Sequence, residues 1–183
     1  MKLPVFPNWY PYNNMVFDGH LQVGDCAVKT RSYGWNYRGP VLFYTSGRTE
    51  QRAVEVYGYK GGKDKHKVII GVADLVDVRE LTTEEAKKTV CNFNNLSPRD
   101  LNKVLRRNGL TNDPNAPFWI YNYGYYVAPL RIGYFFKNLR RLPTPVSFNW
   151  PAGPVKPIFT EVTRNAKLYE QLLSVKPSIC PSR

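Results

Sequence analysis

One short segment concentrates the side chains whose types and spacing suit ligand chemistry. Cations in it can hold phosphate or carboxylate groups, and the aromatic residues at every second position share one side of an extended chain. Single-stranded nucleic acid needs both, since cations follow its backbone and each stacked base contributes roughly 1–3 kcal/mol. The residues are Lys29, Thr30, Arg31, Tyr33, Trp35, Tyr37 and Arg38. The same alternation equally fits a row of core side chains, so both interpretations stay open.

Two further groups of cations would add outer phosphate contacts. A glycine-centred loop carries Lys60, Lys63, Lys65 and Lys67, and a later segment carries Arg140 and Arg141. A solvated hairpin tip explains the lysines equally well.

The charge balance favours a polyanionic partner. The chain has 26 Lys and Arg against 14 Asp and Glu, a formal net charge of +12, in 183 residues. Such an excess attracts phosphate, although charge alone describes association rather than function. A membrane surface is a weaker partner, because no amphipathic helix with a lysine-rich polar face is evident. We therefore expect nucleic acid, RNA before DNA, or a nucleotide-derived ligand, and no membrane.

Several classes of site are not expected. The three cysteines are widely spaced, and neither of the two histidines has a second ligand-type residue at helical spacing, so we predict free thiols, no metal and no cofactor. The start of the chain lacks the apolar stretch of a secretory signal, and no long apolar run occurs. These features predict a soluble, cytoplasmic protein.

The elements that must position these residues follow from the pattern of the chain. Short strands are expected around Val28, at Val41–Tyr44, from Lys67 through Val72, at Ile132–Lys137 and near Ile158. Helices are expected at 12–17, from Thr49, after Thr83, after the N-cap Ser97, and around Ala166–Leu173. The first residues read as an irregular entry, and Gly71 predicts a bulge. We expect a single domain over residues 1–176 and a disordered tail over 177–183.

Three blocks of this sequence, in this order, resemble the ASCH domain family. They read TRSYGWNYRGPVLFYTS, VIIGVADLVDVRELTTEE and GYFFKNLRRLPTPV, spanning Thr30 to Val146. The resemblance implies an α+β fold of the PUA-like superfamily, a small mixed β-barrel with surrounding helices. It also implies a cleft beside the Thr-Arg-Ser segment that binds RNA or nucleotides.

The resemblance also raises an enzymatic alternative, because some ASCH proteins are amidohydrolases acting on acetylated cytidine. In those proteins a lysine and a threonine are proposed to act with a later glutamate. This chain departs from the pattern, since Lys29 stands where the family often has glutamate and the family's lysine falls near Cys26. The candidates here are Lys29 and Thr30 with Glu84 or Glu85, although both glutamates are more simply helix N-terminal carboxylates. A third alternative is an adaptor that uses the loop Pro145–Pro157 to contact a protein.

Overall fold

The computed structural model describes residues 1–60, 65–107, 121–122, 125–126, 132–151 and 156–175. Its strands are β1 (Lys2–Tyr10), β2 (Gln22–Val23), β3 (Cys26–Arg31), β4 (Gly39–Thr49), β5 (Val68–Glu80), β6 (Tyr121–Asn122), β7 (Tyr125–Tyr126), β8 (Ile132–Ser147) and β9 (Ile158–Glu161). Its helices are α1 (Tyr12–Phe17), α2 (Gln51–Tyr57), α3 (Thr83–Asn94), α4 (Pro98–Arg107) and α5 (Ala166–Ser174). The expected α+β class is confirmed.

Seven of these strands form one mixed sheet in the order β2-β3-β8-β5-β4-β1-β9. The β1–β4 pair is parallel and the other pairs are antiparallel. Within the described residues the backbone ladder ends at β2 and at β9, so the sheet is mixed, as expected, but not closed into a barrel.

The sheet packs apolar side chains on both of its faces. On one face Phe6, Phe43 and Phe136 form a cluster with tilted and edge-on ring contacts, which α1 and Phe93 of α3 extend. On the other face residues of β1 and β4 pack against Leu168 and Leu172 of α5. Two buried faces explain why β4 and β5 read as nearly continuous apolar runs.

The predicted bulge in β5 is confirmed. The register of β5 against β8 shifts between Ile69 and Gly71. A Cβ at Gly71 would overlap the ring of Phe17 and lie 2.8 Å from the carbonyl oxygen of Arg140. Glycine is required there because β8 and α1 both approach the backbone closely.

Two expectations about the elements need correction. The first residues form β1, a nine-residue strand inside the sheet, rather than an irregular entry. Its two prolines and Asn8 hid it, but Leu3, Val5 and Phe6 are buried on the faces of the sheet. The strand expected at Ile132–Lys137 continues to Ser147, since β5 pairs with it over that whole length. The expected tail over 177–183 lies outside the described residues.

Candidate nucleic-acid interface

Alternation along β3 separates the residues of the Lys29-Thr30-Arg31 segment. Ala27 belongs to the cluster that contains Phe6, while Val28 packs with Phe135 on the opposite face. The side chains of Lys29 and Arg31 lie on the same face of the sheet as Ala27, because their cationic groups lie over rings of that cluster. Thr30 therefore lies on the same face of the sheet as Val28, and the residue is 2% exposed.

Arg31 ties β3 to β1, with which β3 forms no backbone ladder. One guanidinium nitrogen donates to the carbonyl oxygen of Pro7 at 2.6 Å and to Oδ1 of Asn8 at 2.5 Å. Asn8 in turn donates to Asn13, and Asn13 donates to Thr45 Oγ1 at 3.1 Å, so the bonds continue through α1 to β4. Arg31, which the sequence predicted as a phosphate anchor, is therefore already hydrogen-bonded within the protein. A role for Arg31 in ligand binding stays a prediction.

Lys29 is buried beside this network without sharing in it. Its Nζ lies 3.5 Å from the ring centroid of Tyr12 and 4.5 Å from that of Phe93. Burial, and after it the positive charge of Arg31, holds the pKa of Lys29 well below its ordinary value of 10.5, while Glu50 acts in the opposite direction. Phosphate is held better by a cation that solvent can reach, so a buried amine of this kind is a poor permanent anchor for it.

The aromatic segment after β3 is only partly buried. Trp35 and Tyr37 stack on each other with centroids 4.9 Å apart, and Tyr37 donates to the carbonyl oxygen of Pro40 at 2.9 Å. The carbonyl oxygen of Tyr33 accepts from Tyr134, whose pKa burial raises to about 12, and Lys156 Nζ lies 5.9 Å from the Tyr33 ring. These rings form a half-exposed platform, so the structure leaves their use for base stacking open as a prediction.

Arg38 holds that segment against β5. Its guanidinium donates to the carbonyl oxygens of Trp35, Tyr37 and Val78 and to Asp77 Oδ1 at 3.1 Å. The group is exposed, but both of its terminal nitrogens already donate to protein oxygens. A phosphate that binds through those nitrogens would have to replace some of these bonds.

The cations predicted to make outer phosphate contacts differ in whether they form ion pairs with acidic side chains. Arg141 forms an ion pair with Asp18 at 2.7 Å, and Arg140 lies 3.6 Å from Asp74. Arg141 and exposed Lys65 line a groove of about 380 Å³, together with Asn14, Val68, Ile70, Pro145 and Ser147. Lys63 lies outside the described residues.

A second cationic surface lies where β1 and β4 end and β5 begins. We call it the basic edge, formed by Trp9, Arg48, Lys60 and Lys67. Trp9 is 38% exposed, and the Arg48 guanidinium lies 5.4 Å from its ring centroid. The register between β1 and β4 shifts between Asn8 and Tyr10, which leaves Trp9 without a partner in β4.

The loop before β5 is fastened to this edge by hydrogen bonds. Tyr10 donates to the carbonyl oxygen of Lys60 at 2.6 Å, and the His66 ring bonds Ser46 and Thr49 at 2.9 Å and 3.1 Å. The side chain of Lys67 passes Gly47, with Cε 3.7 Å from where a Cβ would stand there. In the described part of the chain no ion pair involves Arg48, Lys60 or Lys67.

The sequence did not single out Trp9 or Arg48. Neither residue belongs to a motif, and Trp9 reads as one more aromatic residue in a segment without clear periodicity. Only the pairing of β1 with β4 brings the two together.

The residues of the enzymatic alternative are not brought together. Glu85 accepts two bonds from Arg79 at 2.7 Å and closes a capping box with Thr82, and Arg79 lies over Phe135. Phe135 is on the face opposite to Lys29. Glu84 is 83% exposed and pairs with Lys87. Both glutamates therefore act at the helix N-terminus, as the simpler interpretation held.

No metal site or membrane-crossing helix is found within the ranges that the structure describes. No cluster of three or more His, Cys, Asp or Glu side chains could hold an ion there. No helix there combines the length and apolar character needed to cross a bilayer. Cys26 and Cys91 are buried free thiols, as expected, while Cys180 lies outside the described residues.

Comparison with known proteins gives a structural similarity and no sequence match. No family model matches the chain, and no curated protein sequence matches it. Among solved structures, the crystal structure of ASCH from Zymomonas mobilis aligns over 95% of each chain, with 11% identity and a TM-score of 0.44. This chain is similar to an ASCH protein. The three sequence blocks resemble the same family.

A second solved structure also aligns with the chain. The N-terminal domain of Staphylothermus marinus McrB covers 80% of this chain and 75% of its own, with 14% identity and a TM-score of 0.31. The functional argument rests on the residues of this chain.

Proposed function

We propose that this protein binds nucleic acid, single-stranded RNA before DNA, with the basic edge as its first contact surface. The observation that carries the proposal is that unpaired cations and an exposed tryptophan meet at this one edge. With 26 cations against 14 carboxylates, at least 12 cations lack a one-to-one acidic partner. In the described residues, acidic side chains pair elsewhere, as with Arg38, Arg79 and Arg141.

The geometry of the basic edge supports single-stranded ligands. Arg48, Lys60 and Lys67 are exposed and can follow a phosphate backbone, while the half-exposed Trp9 offers a ring to a base. Bases in a duplex are already stacked, so stacking on Trp9 favours single strands. The adjacent groove with Lys65 and Arg141 would continue the path of the backbone.

The platform of Trp35 and Tyr37, with Arg38 beside it, is the second contact surface in this proposal. It lies at the start of β4, whereas the basic edge lies at its end. A cytoplasmic location and a single domain over residues 1–176 belong to the same proposal.

Fluorescence anisotropy titrations with single-stranded and duplex RNA and DNA, at several salt concentrations, test it. The decisive variant is Arg48→Gln with Lys60→Gln and Lys67→Gln. Lys87→Gln with Lys88→Gln and Lys103→Gln removes the same charge from α3 and α4 and is the matched control. Losing three phosphate contacts should reduce the slope of log affinity against log salt by about 2 on single strands.

The control variant should lower affinity far less and leave the slope nearly unchanged. Equal losses in the two variants would mean that net charge alone attracts the ligand. Absence of binding to all four nucleic acids at low salt would refute the proposal. A Trp35→Ala, Tyr37→Ala variant reports separately on the platform, since its loss should matter only if bases stack there.

A further inference from the structure

The groove beside the basic edge lies where β8 separates from β5 for a few residues. β5 advances from Ile69 to Gly71 while β8 runs from Val146 to Arg141, so β8 has three more residues than its partner over this stretch. Such a bulge disrupts the ladder and bends the strand locally. The groove of about 380 Å³ is near the lower end of the range of about 300–1,000 Å³ that is typical of small-ligand sites. Its volume suits one nucleotide-sized group rather than a run of several.

The lining of the groove combines apolar side chains with polar groups that remain available. Val68 and Ile70 contribute its buried apolar part. Asn14 from α1 and Ser147 from β8 add an amide and a hydroxyl, for which no hydrogen bond is found among the described residues. An apolar surface with a few polar groups is the usual lining of a site for an organic ligand. A nucleoside has this mixed character.

Two cations line the same groove. Lys65 is exposed, and the side chain of Arg141 is 42% exposed. Nη2 of Arg141 donates to Asp18 at 2.7 Å, whereas no bond from its Nη1 or Nε is found in the part of the chain that the structure describes. Tyr59 donates to the other carboxylate oxygen of Asp18. Asp18 therefore positions the guanidinium of Arg141 and leaves it donors for a further anion.

We propose that this groove binds a phosphomonoester at the end of a single strand, together with the terminal nucleotide. A phosphomonoester carries a charge of about −1.5 to −2 at pH 7, whereas each phosphate within a strand carries about −1. Lys65 and Arg141 in one small groove match the larger charge better. The inference rests on the proposed function, because the strand reaches the groove from the basic edge, where Lys67 follows Lys65 by two residues. The phosphate is bound and not transferred.

Anisotropy titrations with one internally labelled single strand in three forms test this inference. The strand carries a 5′-phosphate, a 3′-phosphate, or a hydroxyl at both ends. The wild type should bind at least one phosphorylated form about tenfold more tightly than the hydroxyl form, which is the effect of one charge-assisted hydrogen bond.

Two groove variants and one control assign this preference to the groove. Arg141→Gln should remove most of it, because the preference depends on the guanidinium. Ser147→Tyr fills the groove without changing its charge and should abolish the preference. Arg164→Gln removes an exposed arginine between β9 and α5 and should leave the preference unchanged.

Failure of this inference is distinguishable from failure of the proposed function. The ratio of affinities for phosphorylated and hydroxyl strands reports on the groove, whereas the affinity for the hydroxyl strand reports on the basic edge. The triple variant of the basic edge should weaken all three strands and keep the ratio. Equal affinities of the wild type for the three forms, or a preference that survives Ser147→Tyr, would overturn the inference and leave the basic edge in place. AMP that competes as tightly as the phosphorylated strand would assign the groove to free nucleotides and would also overturn it.

Discussion

Replacing Lys29 with Met should stabilise the protein and remove one component of its pH dependence. Methionine keeps an unbranched side chain that can pack against the rings of Tyr12 and Phe93, and it removes the amine that burial penalises. The expected gain is largest at neutral and lower pH. At those pH values the native state must either bury a charged amine or release the proton of that amine, whereas the unfolded chain keeps the proton.

The pH dependence follows from the direction of the pKa shift. Because the folded pKa of Lys29 lies well below 10.5, the unfolded chain binds one proton more than the folded chain between those two values. Wild-type stability relative to Lys29→Met should therefore rise with pH by about 1.4 kcal/mol per unit inside that window. Below the folded pKa both states are protonated, so the difference becomes constant.

Urea denaturation of both proteins from pH 6 to pH 10 measures this difference. Tyrosines with raised pKa values, such as Tyr134, titrate alike in both proteins and cancel. Lys67→Met is the control, since an exposed lysine should give curves parallel to the wild type. If the Lys29→Met curve also ran parallel to the wild type, the amine would not be desolvated in the folded state, and the reasoning would be wrong.

Three further substitutions test the structure in other places. Glu85→Gln should lower the free energy of unfolding by about 1–2 kcal/mol after solvent screening, because Arg79 and the helix N-terminus lower the pKa of this carboxylate to about 2. The wild type should lose that stability as the pH falls from 4.5 towards 2. Urea denaturation at pH 7 and at pH 3 measures the loss. Arg31→Met should cost about 2–4 kcal/mol, since buried Asn8 loses its charged donor; a thermal melt unchanged from the wild type would contradict this. Gly71→Ala should cost about 1–3 kcal/mol by forcing Phe17 aside, and a chemical denaturation midpoint equal to that of the wild type would show that the bend tolerates a Cβ.

Much of the fold was predictable because local signals and tertiary packing agree. Ser97 caps α4 by accepting from the backbone N–H of Asp100 at 3.1 Å, and β5 begins within one residue of the predicted strand. The failure at β1 has a physical cause. Its buried polar residue Asn8 is satisfied by Arg31 from β3, a partner that no local pattern reveals.

The candidate site was harder to predict than the elements. Sequence spacing placed Lys29, Thr30 and Arg31 together. Successive side chains of a strand alternate between the two faces of the sheet, so Thr30 lies on the opposite face. Composition gave the cationic excess without showing which cations the acidic side chains engage. The basic edge exists because β1 and β4 end side by side, and that pairing is non-local.

The most direct test of the central claim is ultraviolet cross-linking of the protein to a single-stranded uridine-rich RNA, followed by mass spectrometric mapping of the linked peptides. The account predicts cross-links at Trp9 and in the segments that carry Arg48 and Lys67, all lost in 1 M salt. Cross-links confined to Trp35 and Tyr37 would move the site to the aromatic platform. No cross-link at low salt would contradict nucleic-acid binding itself.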